Sequence, residues 1–220
     1  MFQRRMQTAL LFLVVMTTAF CAAATAEQPL NNGDSTSLSL RKITAATVLI
    51  ESVGSDGVSL GSGVVTTILG KKYVLTANHV IRGTSGARLT SLADGSSGYS
   101  SETGGWSVKY DIAAIALPKA MRHLPAIPFC RSKLRPGTRV FIAAFPAGVP
   151  AITFGQIAGY DHRGTEMYHT APTVGGSSGG MIINDKGRLC GIHLGVYPYS
   201  GIKFATPSDL ILRLIAIHGK

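Results

Sequence analysis

From Ile43 to Thr206 the chain alternates short β-branched or apolar runs with glycine-rich turns. Runs of this length cannot carry the turns of a helix and suit strands of a β fold. A first set is "ATVLIES", "GSGVVTTIL", "KKYVLTA", "WSVKY" and "DIAAIAL". A second is "TRVFIAAF", "AITFGQIAGY", "EMYHT", "GMIIND", "GRLCGIHLG" and "GIKFAT". The 26 glycines among 220 residues supply the tight turns such a chain needs. Between the sets, residues 117–137 carry Pro118, Pro125, Pro128 and Pro136, which reads as a connection between units. The expected fold is all-β: two antiparallel barrels, over residues 43–120 and 138–206, joined by a connector over 121–137. Only residues 207–220 read as helical. There Thr206 is the expected cap, Pro207 the first helical residue, and Leu210, Ile211, Leu214 and Ile215 one apolar face.

The N-terminus has a different grammar. Arg4 and Arg5 precede the apolar run "ALLFLVVMTTAFCAAA", and Ala24-Thr25-Ala26 offers a small-x-small cleavage site before Glu27. Residues 1–26 are therefore expected to be a secretory signal peptide, and residues 27–42 a polar, flexible lead-in. The alternative is an uncleaved anchor, but the run falls short of the roughly 20 residues a spanning helix needs. Loss of Arg4 and Arg5 lowers the net charge from +10 to +8. The remaining basic residues are scattered, without runs or interleaved aromatics, so no nucleic-acid partner is expected. Cys130 and Cys190 remain, either as buried thiols or as a disulfide that export would permit. No Cys/His cluster has zinc spacing, so no metal is expected.

"TVGGSSGGMIIND", residues 173–185, is either a linker or a tight loop that presents a serine. The tetrapeptide "GSSG" also occurs at residues 95–98, so composition does not decide. A nucleophilic serine needs a base within hydrogen-bond reach, an acid to orient that base, and N–H donors for the oxyanion. Of six histidines after residue 26, His79 stands in "LTANHV", just beyond a strand. Asp111 heads the apolar "DIAAIAL". The decoy "DGSSGYSSETGG", residues 94–105, has no apolar strand directly behind it and reads as a surface loop.

"LTANHV", "DIAAIAL" and "GGSSGG", in that order, resemble the three blocks of the trypsin/chymotrypsin-like serine peptidases. The spacings of 32 positions from His79 to Asp111 and 67 from Asp111 to Ser178 fit, and the resemblance spans roughly residues 43–215. It implies a chymotrypsin-like pair of six-stranded barrels. It implies Ser178 as nucleophile, because Gly176 and Gly179-Gly180 flank it in the G-x-S-G pattern, which Ser177 does not fit. His79 would be the base and Asp111 its orienting group. The N–H groups of Gly176 and Ser178 would form the oxyanion hole. No cofactor is implied.

Thr173 and His193 resemble pocket residues of bacterial glutamyl endopeptidases and of viral chymotrypsin-like processing proteases. Their hydroxyl and imidazole can donate to a Glu or Gln side chain before the scissile bond, with Gly195 also lining the site. A trypsin-type acid near Pro172 is lacking. Departures from the family pattern are the missing Ile-Val-Gly-Gly start and Met181 in place of the usual proline. "FATPSDLILRLI" resembles the end of HtrA-type protease domains, yet few residues follow, so a PDZ-like domain is not expected. The expectation is a secreted or periplasmic, monomeric serine endopeptidase acting on proteins or peptides. The alternatives are a membrane-anchored viral-type processing protease and a non-catalytic binding protein on the same fold.

Overall fold

Burial of apolar and β-branched side chains, on both faces in β-runs such as residues 61–66 and 189–194, turns most of these runs into strands, and the computed structural model describes residues 33–54, 57–101 and 103–218. The signal segment lies outside the described residues. All strands belong to the unit formed by residues 37–220. Residues 33–42 of the expected flexible lead-in instead belong to helix α1, Gly33–Ala46, which runs on into the start of the expected first barrel. Burial of Ile43 and Ala46, three positions apart on one face, outweighs the poor helix propensity of its Ser/Thr-rich start. Thr47 Oγ1 donates to the Ile43 carbonyl at 2.8 Å where the helix hands over to the first strand.

The first sheet is built from β1 (Thr47–Gly54), β2 (Gly57–Ile68), β3 (Lys71–Ala77), β4 (Thr84–Ser91), β5 (Ser97–Ser100), β6 (Thr103–Ser107) and β7 (Ile112–Ala116). Their order is β5-β4-β1-β2-β3-β7-β6, all antiparallel. This corrects the expected first barrel: seven strands form an open sheet among the described residues. Closure would need a ladder between β5 and β6. One has four residues and the other carries Gly104-Gly105, so neither edge offers a long pairing surface. The expected strand "WSVKY" is displaced as well. β6 ends at Ser107, and residues 108–111 turn to deliver Asp111. The stretch 94–105, expected as a loop, supplies β5 and the start of β6, because Tyr99 and its neighbours extend the edge of β4.

The second sheet is a closed barrel in the order β10-β13-β12-β11-β8-β9. Its strands are β8 (Arg139–Ala144), β9 (Ala151–Tyr160), β10 (Met167–His169), β11 (Met181–Ile183), β12 (Leu189–Val196) and β13 (Lys203–Pro207). Side-chain alternation gives each strand two jobs. Val140, Ile142 and Ala144 of β8 join Ile157, Met167, Ile182 and Ala205 inside the barrel. The intervening Ala143, with Met181 and Ile183 of β11, joins the larger core under the first sheet. The two halves are thus fused through one apolar layer rather than tethered by their connector. Helix α3, Ser208–His218, closes the chain with Leu210, Ile211 and Leu214 buried. Thr206 is not its cap: it belongs to β13, and its Oγ1 donates to the Tyr110 carbonyl at 2.7 Å. Among the described residues no helix is long and apolar enough to cross a membrane.

Candidate active site

β3 ends at Ala77, and the chain enters the one-turn helix α2, Asn78–Ile81, which carries His79. Pairing of Ala77 with Ile112 brings the start of β7 alongside, and with it Asp111. Asp111 sits in a left-handed conformation, φ 53°, which Asp tolerates better than most residues. Three bonds tie it to the helix. Its carbonyl accepts from Asn78 N–H at 3.0 Å, Oδ1 accepts from His79 N–H at 2.8 Å, and Oδ2 meets His79 Nδ1 at 2.6 Å. With Nδ1 carrying the proton toward Asp111, Nε2 is left as an acceptor.

Ser178 lies in the turn before β11, and that turn is shaped by steric necessity. Gly176 has φ +89°, and a Cβ there would stand 2.5 Å from the Phe145 carbonyl oxygen and 2.9 Å from Ala147 N. Gly179 has φ +84°, and a Cβ would overlap the Ser62 carbonyl oxygen and Thr76 Oγ1. Only glycine fits either place. The two serines separate clearly. Ser177 is buried and its Oγ accepts from Val174 N–H at 3.3 Å, bracing the turn from inside. Ser178 is half-buried, and its Oγ donates to the Leu194 carbonyl at 2.9 Å rather than to His79. Among the described residues, no acceptor takes the N–H of Gly176 or of Ser178.

The first sheet and the turn are locked together. A Cβ on Gly61 of β2 would stand 2.5 Å from Val80 Cγ1 and 3.2 Å from the Ser178 carbonyl oxygen, so the His79 helix and the Ser178 turn approach within about 6 Å. Ser62 N–H donates to that same Ser178 carbonyl at 2.8 Å. Ser62 Oγ donates to the Gly176 carbonyl at 2.7 Å and accepts from Phe145 N–H at 2.8 Å. A cavity of about 300 Å³ opens beside His79, walled by Val58, Ser59, Arg82 and Thr84.

His193 on β12 is held against the turn: its carbonyl accepts from Gly179 N–H at 2.7 Å, and its N–H donates to the Gly180 carbonyl at 2.9 Å. Its ring is buried, and its Nδ1 lies 3.0 Å from His169 Nε2 of β10. Burial, with His79 nearby, pushes the His193 pKa down to about 4, against the opposing pull of the Phe204 carbonyl. Burial, then the neighbouring His193, pushes His169 down to about 3. Both rings are therefore neutral at pH 7. Thr173 is half-buried and makes no hydrogen bond to His193; Gly195 follows on β12, packed beside the Phe204 ring.

Ser62 and His169 escaped sequence reading. Ser62 stands in "GSGVV", where a serine between two glycines within a strand run carries a detectable signal. His169, in "EMYHT", carries none, because its pairing is set by barrel closure.

The family described as trypsin-like peptidase domain matches residues 61–192. Among curated proteins, the probable periplasmic serine protease do/HhoA-like of Haemophilus influenzae is 35% identical over 170 residues, 71% of this chain and 36% of that protein. The periplasmic serine endoprotease DegP of Escherichia coli K12 is 30% identical over 169 residues, 71% of this chain and 35% of its own. The chain thus spans about a third of the length of the curated relatives it matches. Of solved structures, the HtrA-type protease AlgW with tripeptide superposes with a TM-score of 0.71 at 27% identity, covering 85% of this chain and 65% of that one. The serine endoprotease from Yersinia pestis gives 0.70 at 25% identity, covering 83% and 67%. Similarity across the domain runs to HtrA-type chains. The likeness to glutamyl and viral proteases rested on the short pocket positions Thr173 and His193.

Proposed function

Because the chain belongs to the trypsin-like peptidase domain family, we propose that it is an exported serine endopeptidase with Ser178 as nucleophile, His79 as base and Asp111 as orienting group. The observation that carries the proposal is the two-oxygen grip of Asp111 on His79, at 2.8 Å to its N–H and 2.6 Å to its Nδ1. That grip fixes the tautomer a general base requires. Attack begins when Ser178 Oγ leaves the Leu194 carbonyl, 2.9 Å away, for Nε2 of His79. Nε2 takes the hydroxyl proton as Oγ adds to the scissile carbonyl. The unpaired N–H groups of Gly176 and Ser178 receive the oxyanion. Collapse expels the amine, which takes the proton from Nε2 and leaves an acyl-enzyme that water hydrolyses by the same relay.

Export is supported by the N-terminal segment and by the periplasmic relatives, with processing after Ala26. The substrates are proteins or peptides, and the enzyme acts as a monomer. For the residue before the scissile bond, Thr173, His193 and Gly195 form the proposed recognition site. Its depressed pKa keeps His193 neutral, with a single ring N–H that a Glu or Gln side-chain oxygen would take over from the Phe204 carbonyl. Rates on matched peptides with Glu, Gln, Arg or Phe at that position test the site. Glu and Gln are expected to lead, and His193→Ala to erase their advantage. An unchanged preference in His193→Ala overturns the assignment.

A further inference from the structure

Cys130 and Cys190 are 60 positions apart in sequence, and the chemistry proposed above uses neither. The fold brings them together at one place. The connector makes an isolated parallel bridge to β12 at Phe129 and Leu189. Leu189 N–H donates to the Pro128 carbonyl at 2.9 Å, and Cys130 N–H donates to the Leu189 carbonyl at 2.8 Å. In a parallel ladder the next residues in register, here Cys130 and Cys190, direct their side chains to a common face. Both side chains are buried, at 3% and 2% exposure. The sulfurs share surroundings as well. Asn184 Nδ2 lies 3.8 Å from Cys130 Sγ, and Asn184 N–H donates at 3.2 Å to the Arg188 carbonyl that the Cys190 thiol also meets. Each thiol otherwise reaches only a local carbonyl, Ser132 at 3.2 Å and Arg188 at 3.3 Å.

We infer that Cys130 and Cys190, free thiols here, are joined as a disulfide in the exported protein, stapling the connector to the strand that carries His193 and Leu194. The bridge would close a loop that contains the whole Ser178 turn. Two thiols lose two protons and two electrons as the S–S bond forms. The electrons reduce a disulfide of the oxidant, a protein dithiol oxidase or oxidised glutathione, to two thiols by exchange through a mixed disulfide. Burial pushes the Cys190 pKa up, with Cys130 adding to the shift, so the folded thiol is a poor nucleophile. Oxidation therefore precedes completion of the fold, and the finished bridge is shielded from reductants.

The oxidant comes with the export proposed above, so the test separates the two ideas. The full chain is unfolded, reduced and refolded in a mixture of oxidised and reduced glutathione, then alkylated and mapped by mass spectrometry. A Cys130–Cys190 peptide pair 2 Da lighter than its thiols is expected, with a melting midpoint on the order of 10 °C above that of the reduced chain. Alkylated or glutathionylated Cys130 and Cys190 overturn the disulfide. The same mapping on protein from the exported fraction of the producing cell tests location. Free thiols there overturn the disulfide, whereas absence of the chain from that fraction, with a bridge formed on refolding, counts against export and leaves the disulfide standing.

Discussion

Replacing Ser62 with alanine removes a single buried hydroxyl that joins the first sheet to the Ser178 turn. Its oxygen accepts from Phe145 N–H and donates to the Gly176 carbonyl, at 2.8 and 2.7 Å. Neither backbone group has a substitute partner in this buried place. Each orphaned group costs about 1–3 kcal/mol, and partial relaxation brings the expected loss of stability to about 2–4 kcal/mol. The larger consequence is local. The Gly176 carbonyl shares its peptide plane with Ser177 N–H, so releasing it loosens the turn on which the Gly176 and Ser178 N–H groups sit, while the plane of Gly176 N–H keeps its own brace, the Gly175 carbonyl accepting from Ala147 N–H at 2.7 Å. Loss of one such donor costs about 2.7–4 kcal/mol of transition-state stabilisation. The loosened turn keeps both donors aimed part of the time, so kcat is expected to fall about 10- to 100-fold, with KM changing little. Urea unfolding followed by initial rates on a Glu-containing chromogenic peptide measures both effects on one preparation. A kcat within twofold of the parent, despite lowered stability, would refute the claim that Ser62 braces the oxyanion turn. Unchanged stability would refute the hydrogen bonds themselves.

Two further outcomes follow from other parts of the fold. Leu69 occupies the turn between β2 and β3 with φ 48°, a left-handed conformation that penalises a branched apolar residue, and its side chain is exposed. Leu69→Asn is expected to raise stability by roughly 0.5–1 kcal/mol in urea unfolding, without altering activity. The buried pair His169 and His193 makes stability depend on pH. Their folded pKa values, about 3 and about 4, lie below the ordinary 6.5, so the unfolded chain binds more protons in between. Their contribution is complete above pH 6.5 and is lost as pH falls toward 4 and then 3, by up to about 1.4 kcal/mol per pH unit for each ring. Denaturation at pH 7 and pH 5 should show this slope, and His169→Gln should flatten it.

Strand content was legible because turn glycines and β-branched runs act locally, as at Leu69-Gly70 between β2 and β3. The closed barrel and the open sheet were not distinguishable, since closure depends on the short β5 and β6 edges meeting, and nothing local reports that. Residues 33–42 read as irregular because helix propensity is weak there; the helix owes its docking to Ile43 and Ala46. Thr206 and Pro207 looked like a helix start, but the last strand claims both through its pairing with β12. In the candidate site, His79, Asp111 and Gly176 could be singled out because each sits in a distinctive local setting, after a strand, before one and inside a glycine turn. The braces around them were not. Ser62 reaches Gly176 across 114 positions, and His169 reaches His193 across the barrel, contacts that only the folded chain defines.

The account's central claim is that Ser178 is a nucleophile activated by His79. Labelling of the folded protein with a fluorophosphonate probe, with the modified residue located by peptide mapping, tests it most directly. The account predicts a label on Ser178 that disappears on unfolding and forms at least about 100-fold more slowly in His79→Ala. A folded protein that leaves Ser178 unmodified, or labelling that persists in Ser178→Ala, would contradict it.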